Sequence, residues 1–160
     1  MGKPPWPTSI DGRLRSDLEE LLRGVGASFR FEEYENATWV IYKIETRAEL
    51  GLAVSIELLP DQLNVNFGGC GLVIELAAHH PKFRSNPRAF EDWRQRCLDT
   101  VRDVLTSDLR IETRSLGGTV RGGWIWRREG ESWLRCGGGG DILMFFGEKW
   151  ITEYRDWLAR

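Results

Sequence analysis

The sequence predicts an α+β domain in which a helix, antiparallel strands, a second helix, further antiparallel strands and a third helix follow in order, with the helices on one sheet face. Three observations lead to this class. Leu63, Val65 and Phe67 alternate with asparagines, as in a strand with one buried and one wet face. Residues 90–105 carry a continuous apolar stripe at helical spacing. The chain shows neither βαβ alternation nor an internal repeat, and 160 residues suit a single domain over 1–160.

The N-terminal region is predicted to hold an arm and a short helix. Residues 1–10 contain three prolines and should be extended, with Trp6 as an anchor to the body of the domain. Ser16-Asp17-Leu18-Glu19 has the capping-box pattern that satisfies free amide donors at a helix start, and Gly24 and Gly26 supply stop signals. The apolar residues at helical spacing are Leu14, Leu18, Leu21, Leu22 and Val25.

Four strands are expected next. Residues 27–34 and 37–45 should form a hairpin around a tight turn at Glu35-Asn36. Alternation continues over 52–58 and 63–67. Whether 72–78 form a fifth strand or a helical turn stays open, because seven apolar-rich residues do not fix the period. The predicted hairpin register places these side chains on one face: Phe29, Phe31, Val40, Tyr42 and Ile44.

The second helix has the strongest local signals. Asn86 is a good N-cap, and Pro87 suits the first helical position, where its missing amide hydrogen costs nothing. Such a helix needs a sheet to lie on. Its apolar stripe consists of Phe90, Trp93, Cys97, Leu98, Val101, Val104 and Leu105.

Three more strands are predicted at 109–115, 119–128 and 131–136, with turns at Gly117-Gly118 and Glu129-Gly130. Residues 137–140 are glycines and should be a mobile linker, since no lysine and hydroxyl residue follow to make a phosphate loop. Residues 141–147 begin a helix or form a last strand. The terminal helix is inferred from the spacing of Trp150, Ile151, Tyr154, Trp157 and Leu158.

Tryptophan is unusually frequent, with eight in the chain and five in the last 37 positions. A two-residue turn at Glu129-Gly130 places Trp126 opposite Trp133, Trp124 opposite Arg135 and Arg128 opposite Glu131; a three-residue loop shifts this register. Two interpretations follow. The tryptophans pack under the terminal helix, or they form with the arginines a surface for a base, a sugar or a protein side chain.

The formal charge of −2 hides an uneven layout. Residues 27–67 hold seven acidic and three basic side chains, a net −4, whereas residues 109–136 hold three acidic and six basic ones, a net +3. The acidic hairpin residues Glu32, Glu33 and Glu35 suit a basic partner. Alternatively, the two groups neutralise each other within one molecule or across a homodimer.

No catalytic or metal-binding constellation stands out, and no cofactor is predicted. His79-His80 is the only histidine site, so a general base or a metal site depends on it; a polar corner before Pro81 is the favoured interpretation. The acidic clusters are explained by solvent-facing positions rather than by a glycosidase pair. The odd set of Cys70, Cys97 and Cys136 implies no disulfide framework.

The expected location is the cytoplasm. The N-terminus lacks the apolar region of a signal peptide, and no run of about 18 apolar residues indicates a transmembrane helix. Membrane binding is therefore not expected.

In its order of elements the chain resembles class I type III secretion chaperones, small acidic α+β proteins that dimerise and hold an extended effector segment, although the tryptophan hairpin and extra strands depart from them. It is also similar to bacterial immunity proteins, small cytoplasmic α+β domains that neutralise a toxin. The preferred hypothesis is a non-enzymatic protein-binding domain of the immunity type. The alternatives are a chaperone-like dimer and a binder of anions or single-stranded nucleic acid using Trp124, Trp126, Trp133 and the nearby Arg128 and Arg135.

Overall fold

The computed structural model describes residues 7–68, 70–76 and 88–159. Within them the chain is an α+β domain with two α-helices and two antiparallel sheets. The helices are α1 (Gly12–Gly24) and α2 (Ala89–Leu105). The first sheet consists, in spatial order, of β1 (Phe29–Tyr34), β2 (Trp39–Ile44), β3 (Val54–Leu58), β4 (Gln62–Phe67) and β5 (Cys70–Glu75). The second sheet contains β6 (Leu109–Leu116), β7 (Thr119–Glu129), β8 (Ser132–Gly140) and β9 (Glu148–Tyr154), in the spatial order β8-β7-β6-β9.

The first sheet is a meander whose inner face forms most of the core. Each strand pairs with the next in the chain, so the alternation seen in the sequence places one set of apolar side chains inward. The expected strands around 52–58 and 63–67 are present as β3 and β4. The open question at 72–78 is answered for residues 72–75, which belong to strand β5. The buried residues of α1 and α2 join the same core.

The first hairpin has a longer loop than predicted. Tyr34 pairs with Trp39, so four residues rather than two form the turn, and Glu35, Asn36 and Ala37 have φ angles of 52°, 56° and 61°. The shared face is nevertheless as predicted, because Phe29 pairs with Ile44 and Phe31 with Tyr42.

The capping-box prediction at Ser16 is wrong, because α1 begins one turn earlier. The N-cap is Asp11, whose Oδ1 accepts hydrogen bonds from the backbone N–H of Arg13 (2.9 Å) and Leu14 (3.3 Å). Its other oxygen accepts a bond from Arg94 Nε at 2.8 Å, which ties α1 to α2. An N-cap that also binds a second helix outweighs the local pattern at Ser16.

The stripe predicted for α2 is confirmed. Trp93, at its centre, is fully buried and donates from Nε1 to the carbonyl oxygen of Ile74 at 3.1 Å. The predicted cap residues Asn86 and Pro87 lie outside the described residues, as do Trp6 and His79-His80. No helix in the described ranges has the length and apolar character to cross a bilayer.

The predicted terminal helix is wrong, since residues 148–154 form strand β9, which pairs with β6. β-Branched and aromatic residues are dense there, and β6 offers an edge to pair with, so the helical spacing of the apolar residues is overridden. Trp157 beyond the strand is buried, packs edge-on against Phe67 with ring centroids 6.1 Å apart, and donates from Nε1 to the Ser107 carbonyl at 3.0 Å. Trp150 is exposed instead.

The glycines at 137–140 belong to β8 and are not a linker. They pair with Gly122, Gly123, Trp124 and Ile125 of β7. A Cβ atom at Gly137 would lie 2.4 Å from Leu72 Cβ, and one at Gly123 would lie 2.5 Å from Cys70 Sγ. Glycine therefore lets the second sheet approach strand β5 of the first sheet closely, and Leu109, Ile111 and Ile125 complete the core from that side.

Candidate interaction surface on the second sheet

The register of the tryptophan hairpin differs from both predicted versions. Glu129 pairs with Ser132, so Gly130-Glu131 is the loop, with Gly130 at a φ of 61°. The first loop position thus takes a left-handed backbone, which glycine adopts without steric cost. Arg128 consequently pairs with Trp133, and Trp126 with Arg135.

A bulge on β8 changes the pairing again further along. The register shifts between Ile125 and Trp126, which leaves Cys136 as the extra residue and puts Trp124 opposite Gly138. On the β8 side, Trp124 therefore has no side chain directly across from it, whereas on the β6 side it pairs with Glu112. The Arg135 guanidinium fills this space, with its central carbon 4.6 Å from the Trp124 ring centroid.

Five of the predicted site residues come together on one face of the second sheet. Alternation along β7 places Ile125 inward, where it is fully buried, so its even-numbered neighbours point outward. The tryptophans are half-buried, whereas the hairpin arginines are exposed. We call this surface the Trp–Arg face: Arg110, Trp124, Trp126, Arg128, Trp133 and Arg135.

Cation–π contacts organise the Trp–Arg face. Arg110 of β6 lies over the Trp133 ring at 4.4 Å, and its guanidinium also donates to Glu153 at 2.6 Å. Arg128 donates from Nε to the Gly130 carbonyl at 3.0 Å. Each cation–π contact contributes about 0.5–1 kcal/mol at an exposed site. Trp124 and Trp133 are therefore held in place by arginines without being part of the core.

Glu112 continues this face and is the only charged side chain among the described residues that is buried, at 6% exposure. Its carboxylate forms ion pairs with Arg114 at 3.4 Å and with Lys149 at 3.3 Å. Arg114 and Lys149 lie directly opposite each other in the β6–β9 register. One carboxylate thus serves two facing cations.

The acidic hairpin lies apart from the Trp–Arg face. Strand β1 forms one edge of the first sheet, and the second sheet packs against β5 at the other edge. Glu33 is bound by Arg15, and Glu32 is bound by Lys43 Nζ at 2.9 Å and by the Tyr34 hydroxyl. These hydrogen bonds, that from Tyr34 first, hold the pKa of Glu32 below its usual range. Glu35 lies exposed in the loop.

The cysteines have the character of core residues. Burial raises the pKa of Cys70 and Cys136, and raises that of Cys97 to about 12, so all three thiols stay protonated near neutral pH. None of the three forms a disulfide. Across 7–68, 70–76 and 88–159, no group of three or more acidic, histidine or cysteine side chains is arranged to hold a metal ion.

An exposed apolar segment beside β9 was not among the predicted site residues. Ile142–Phe146 form a short 3-10 helix, capped by Asp141, whose carboxylate accepts from Leu143 N–H at 2.9 Å. Only Met144 is buried, whereas Ile142 and Phe146 are each 74% exposed. Its signal in the sequence is the run of five consecutive apolar residues after Asp141, but such a run fixes neither the period of the secondary structure nor the buried face.

Comparison with known protein families, curated proteins and solved structures gave no match to this chain.

Proposed function

We propose that this chain is a non-enzymatic protein-binding domain whose ligand docks on the Trp–Arg face. The observation that carries the proposal is the set of three half-buried tryptophans interleaved with arginines on the outer side of a sheet. Tryptophan and arginine are the residues most enriched among binding hot spots, because each buries a large area and makes directional contacts. Here cation–π contacts preorganise both residue types, which lowers the entropy lost on binding.

The charges on this face favour an acidic patch on the protein ligand. Arg128 and Arg135 are exposed and have no carboxylate partner among the ion pairs of the described residues. Glu32 and Glu33, in contrast, already bind cations of the same chain. We therefore place the main contact on the second sheet, and assign the acidic hairpin a lesser role toward a basic region of the ligand.

More specifically, we propose that the chain is an immunity-type inhibitor that binds a toxin or effector. A rigid charged and aromatic surface suits a tight inhibitor, since electrostatic steering speeds association and buried aromatic residues slow dissociation. Its supports are the preorganised Trp–Arg face and the opposite charges of the two strand groups.

Binding of single-stranded nucleic acid is the second candidate, favoured by the same alternation of aromatic rings and arginines. The cation–π contacts weigh against it. Arg135 covers one face of Trp124, and Arg110 covers one face of Trp133. A base must displace a guanidinium to stack there, whereas a protein carboxylate can bind the guanidinium edge with the stack intact.

The test uses the full chain with Trp126→Ala and Arg135→Glu, and with Leu134→Ala as the matched control. Leu134 is exposed and lies next to Arg135 on β8, but it faces the other side of the sheet. Proteins that bind the wild type in co-purification are identified by mass spectrometry, purified and titrated by calorimetry. We expect each variant on the Trp–Arg face to weaken binding at least tenfold, and the control to match the wild type.

Equal binding of the wild type and both Trp–Arg variants to the purified ligand would refute the proposed docking face. In a parallel titration, tryptophan fluorescence is followed as single-stranded oligonucleotides are added. A quench that disappears steeply with salt and with Arg135→Glu would replace the proposal by the nucleic-acid function; an unchanged spectrum supports the protein ligand.

A further inference from the structure

We infer that two copies of this chain pair through strand β9, so that the two second sheets form one continuous eight-stranded antiparallel sheet. Strand β9 lies at the sheet edge and pairs with β6 on one side only, within the described residues. Six of its seven residues are exposed. Its pairing with β6 runs without a register shift, so the strand is regular along its whole length.

This edge carries charged side chains, which oppose strand addition, but it lacks the other protective features. Proteins protect exposed edges with charged residues (lysine above all), proline, bulges, inward-pointing charges or a covering loop. The charged residues of β9 are Glu148, Lys149 and Glu153, so a second strand must offer complementary charges. The sequence of β9, EKWITEY, contains no proline and no glycine, and apolar residues occupy its centre. Trp150 is 61% exposed and Ile151 49% exposed, on opposite faces of the sheet. A second strand would cover apolar surface on both faces at once.

The charges on β9 are complementary to those of a second copy. Antiparallel pairing about a two-fold axis at Ile151 places Lys149 of each copy opposite Glu153 of the other. The same register sets Trp150 opposite Thr152, and brings the two Trp150 rings into diagonal positions, where aromatic side chains still reach each other. Moving the axis to Thr152 would instead place Lys149 opposite Arg155, a repulsive pair.

The charge balance at Lys149 within one copy supports this register. Lys149 faces Arg114 across the strand pair, and both cations depend on Glu112. Glu153 of a second copy would bring Lys149 a second carboxylate, one that also binds Arg110 and Arg155 of its own copy. Across the outer face, Arg110 and Glu153 of one copy would then be followed by Lys149 and Arg114 of the other, so that Glu153 lies between two cations.

The exposed apolar segment next to β9 supplies area that the strands alone do not. A stable interface buries roughly 1,200–2,000 Å² in total. Phe146, at the end of the segment that leads into β9, lines one surface groove with Trp150 and Leu116. This inference does not depend on the proposed function, because the hairpin arginines and tryptophans lie toward β8, at the other edge of the sheet.

The oligomeric state of the full chain, measured by sedimentation velocity over a wide concentration range, tests the inference. We expect a dimer for the wild type and a monomer for Ile151→Lys, which places two like charges on the axis. The circular dichroism spectrum of the variant should be unchanged, since Ile151 is half-exposed. A cysteine at the axis gives a second readout: Ile151→Cys should form a disulfide-linked dimer under mild oxidation, because the two residues face each other.

Thr152→Cys is the matched control for this cross-link, since Thr152 should face Trp150 of the other copy and cross-link much more slowly. A wild type that stays monomeric at all concentrations would overturn the inference. So would a dimer that survives Ile151→Lys, or equal cross-linking of the two cysteine variants. Ligand binding by monomeric Ile151→Lys should persist, so the failure of this inference and the failure of the proposed function are distinguishable.

Discussion

The two sheets of this domain handle apolar surface in opposite ways. In the first sheet, apolar side chains face inward under α1 and α2, and the outer face is largely polar. In the second sheet, Leu109, Ile111 and Ile125 are buried in the core, and Cys136 and Tyr154 pack against it. Tryptophans and arginines occupy the outer face, and further apolar residues lie exposed beside β9. The first sheet therefore accounts for most of the stability, and the second presents the surfaces suited to binding.

The largest expected effect is at the centre of the core. Trp93→Ala removes a fully buried ring and leaves the Ile74 carbonyl without its donor, so we expect a loss of about 3–5 kcal/mol in the free energy of unfolding. Urea denaturation measures it. Phe31→Ala is the control on the exposed edge of the first sheet and should cost less than about 1 kcal/mol. Equal losses for both variants would contradict the assignment of stability to the covered face.

A smaller effect tests the close contact between the sheets. In Gly123→Ala the new Cβ would lie 2.0 Å from the Glu112 carbonyl oxygen and 2.5 Å from Cys70 Sγ, so β7 must move. We expect a loss of about 1–3 kcal/mol, typical of overpacking. Gly139 pairs with Gly123 but has open space at its Cβ position. Thermal unfolding should therefore leave Gly139→Ala close to wild type, and a tolerated Gly123→Ala would disprove the close approach.

Glu112 tests whether the outer face of the second sheet is electrostatically balanced. Glu112→Gln keeps the shape but leaves Arg114 and Lys149 facing each other without a carboxylate, and we expect a loss of about 1–3 kcal/mol in unfolding free energy. Added salt should reduce the difference in unfolding free energy between the wild type and Glu112→Gln, because Lys149 is half-exposed and its charge is screened. The exposed Glu129→Gln provides the control. No difference between the two variants in low salt would remove the proposed role of Glu112.

The last effect is absent at neutral pH and develops only in alkaline solution. Burial raises the pKa of Cys97 to about 12, whereas an unfolded cysteine has a pKa of about 8.5. The unfolded chain therefore loses this proton first, so the stabilisation is complete below about pH 8.5 and decreases as pH rises toward 12. In Cys97→Ala the decline of unfolding free energy over this range should be shallower than in wild type. Parallel curves for the two proteins would show that Cys97 is not protected by the core.

How much of this architecture the sequence predicts depends on how many partners each segment needs. The strands β2 to β4 and the stripe of α2 follow from local periodicity, because one buried face determines the pattern. Strand β9 does not follow, because its apolar residues fit helical spacing and only the free edge of β6 makes it a strand. The glycines at 137–140 are equally ambiguous in the sequence. A Cβ atom at Gly137 would clash with Leu72, and one at Gly138 or Gly140 would clash with the backbone of β7, neighbours that the sequence does not reveal.

The candidate site divides in the same way. The residues Trp124, Trp126, Arg128, Trp133 and Arg135 follow from composition and alternation, yet their pairing depends on the loop at Gly130 and on the bulge at Cys136. The sequence predicts that Glu32 and Glu33 are available to a partner, but they bind cations from α1 and β2, and the net charge of the segment does not reveal these pairs. The sequence does not predict that segment 142–146 is exposed, because the burial of an apolar run depends on the whole fold.

The most direct test of the central claim is to measure two quantities on Trp126→Ala: its affinity for the protein ligand and its free energy of unfolding. If the Trp–Arg face exists for binding, affinity falls at least tenfold while unfolding free energy changes by no more than about 1 kcal/mol. A loss of stability comparable to that of Trp93→Ala, together with unchanged affinity, would show that these tryptophans are structural.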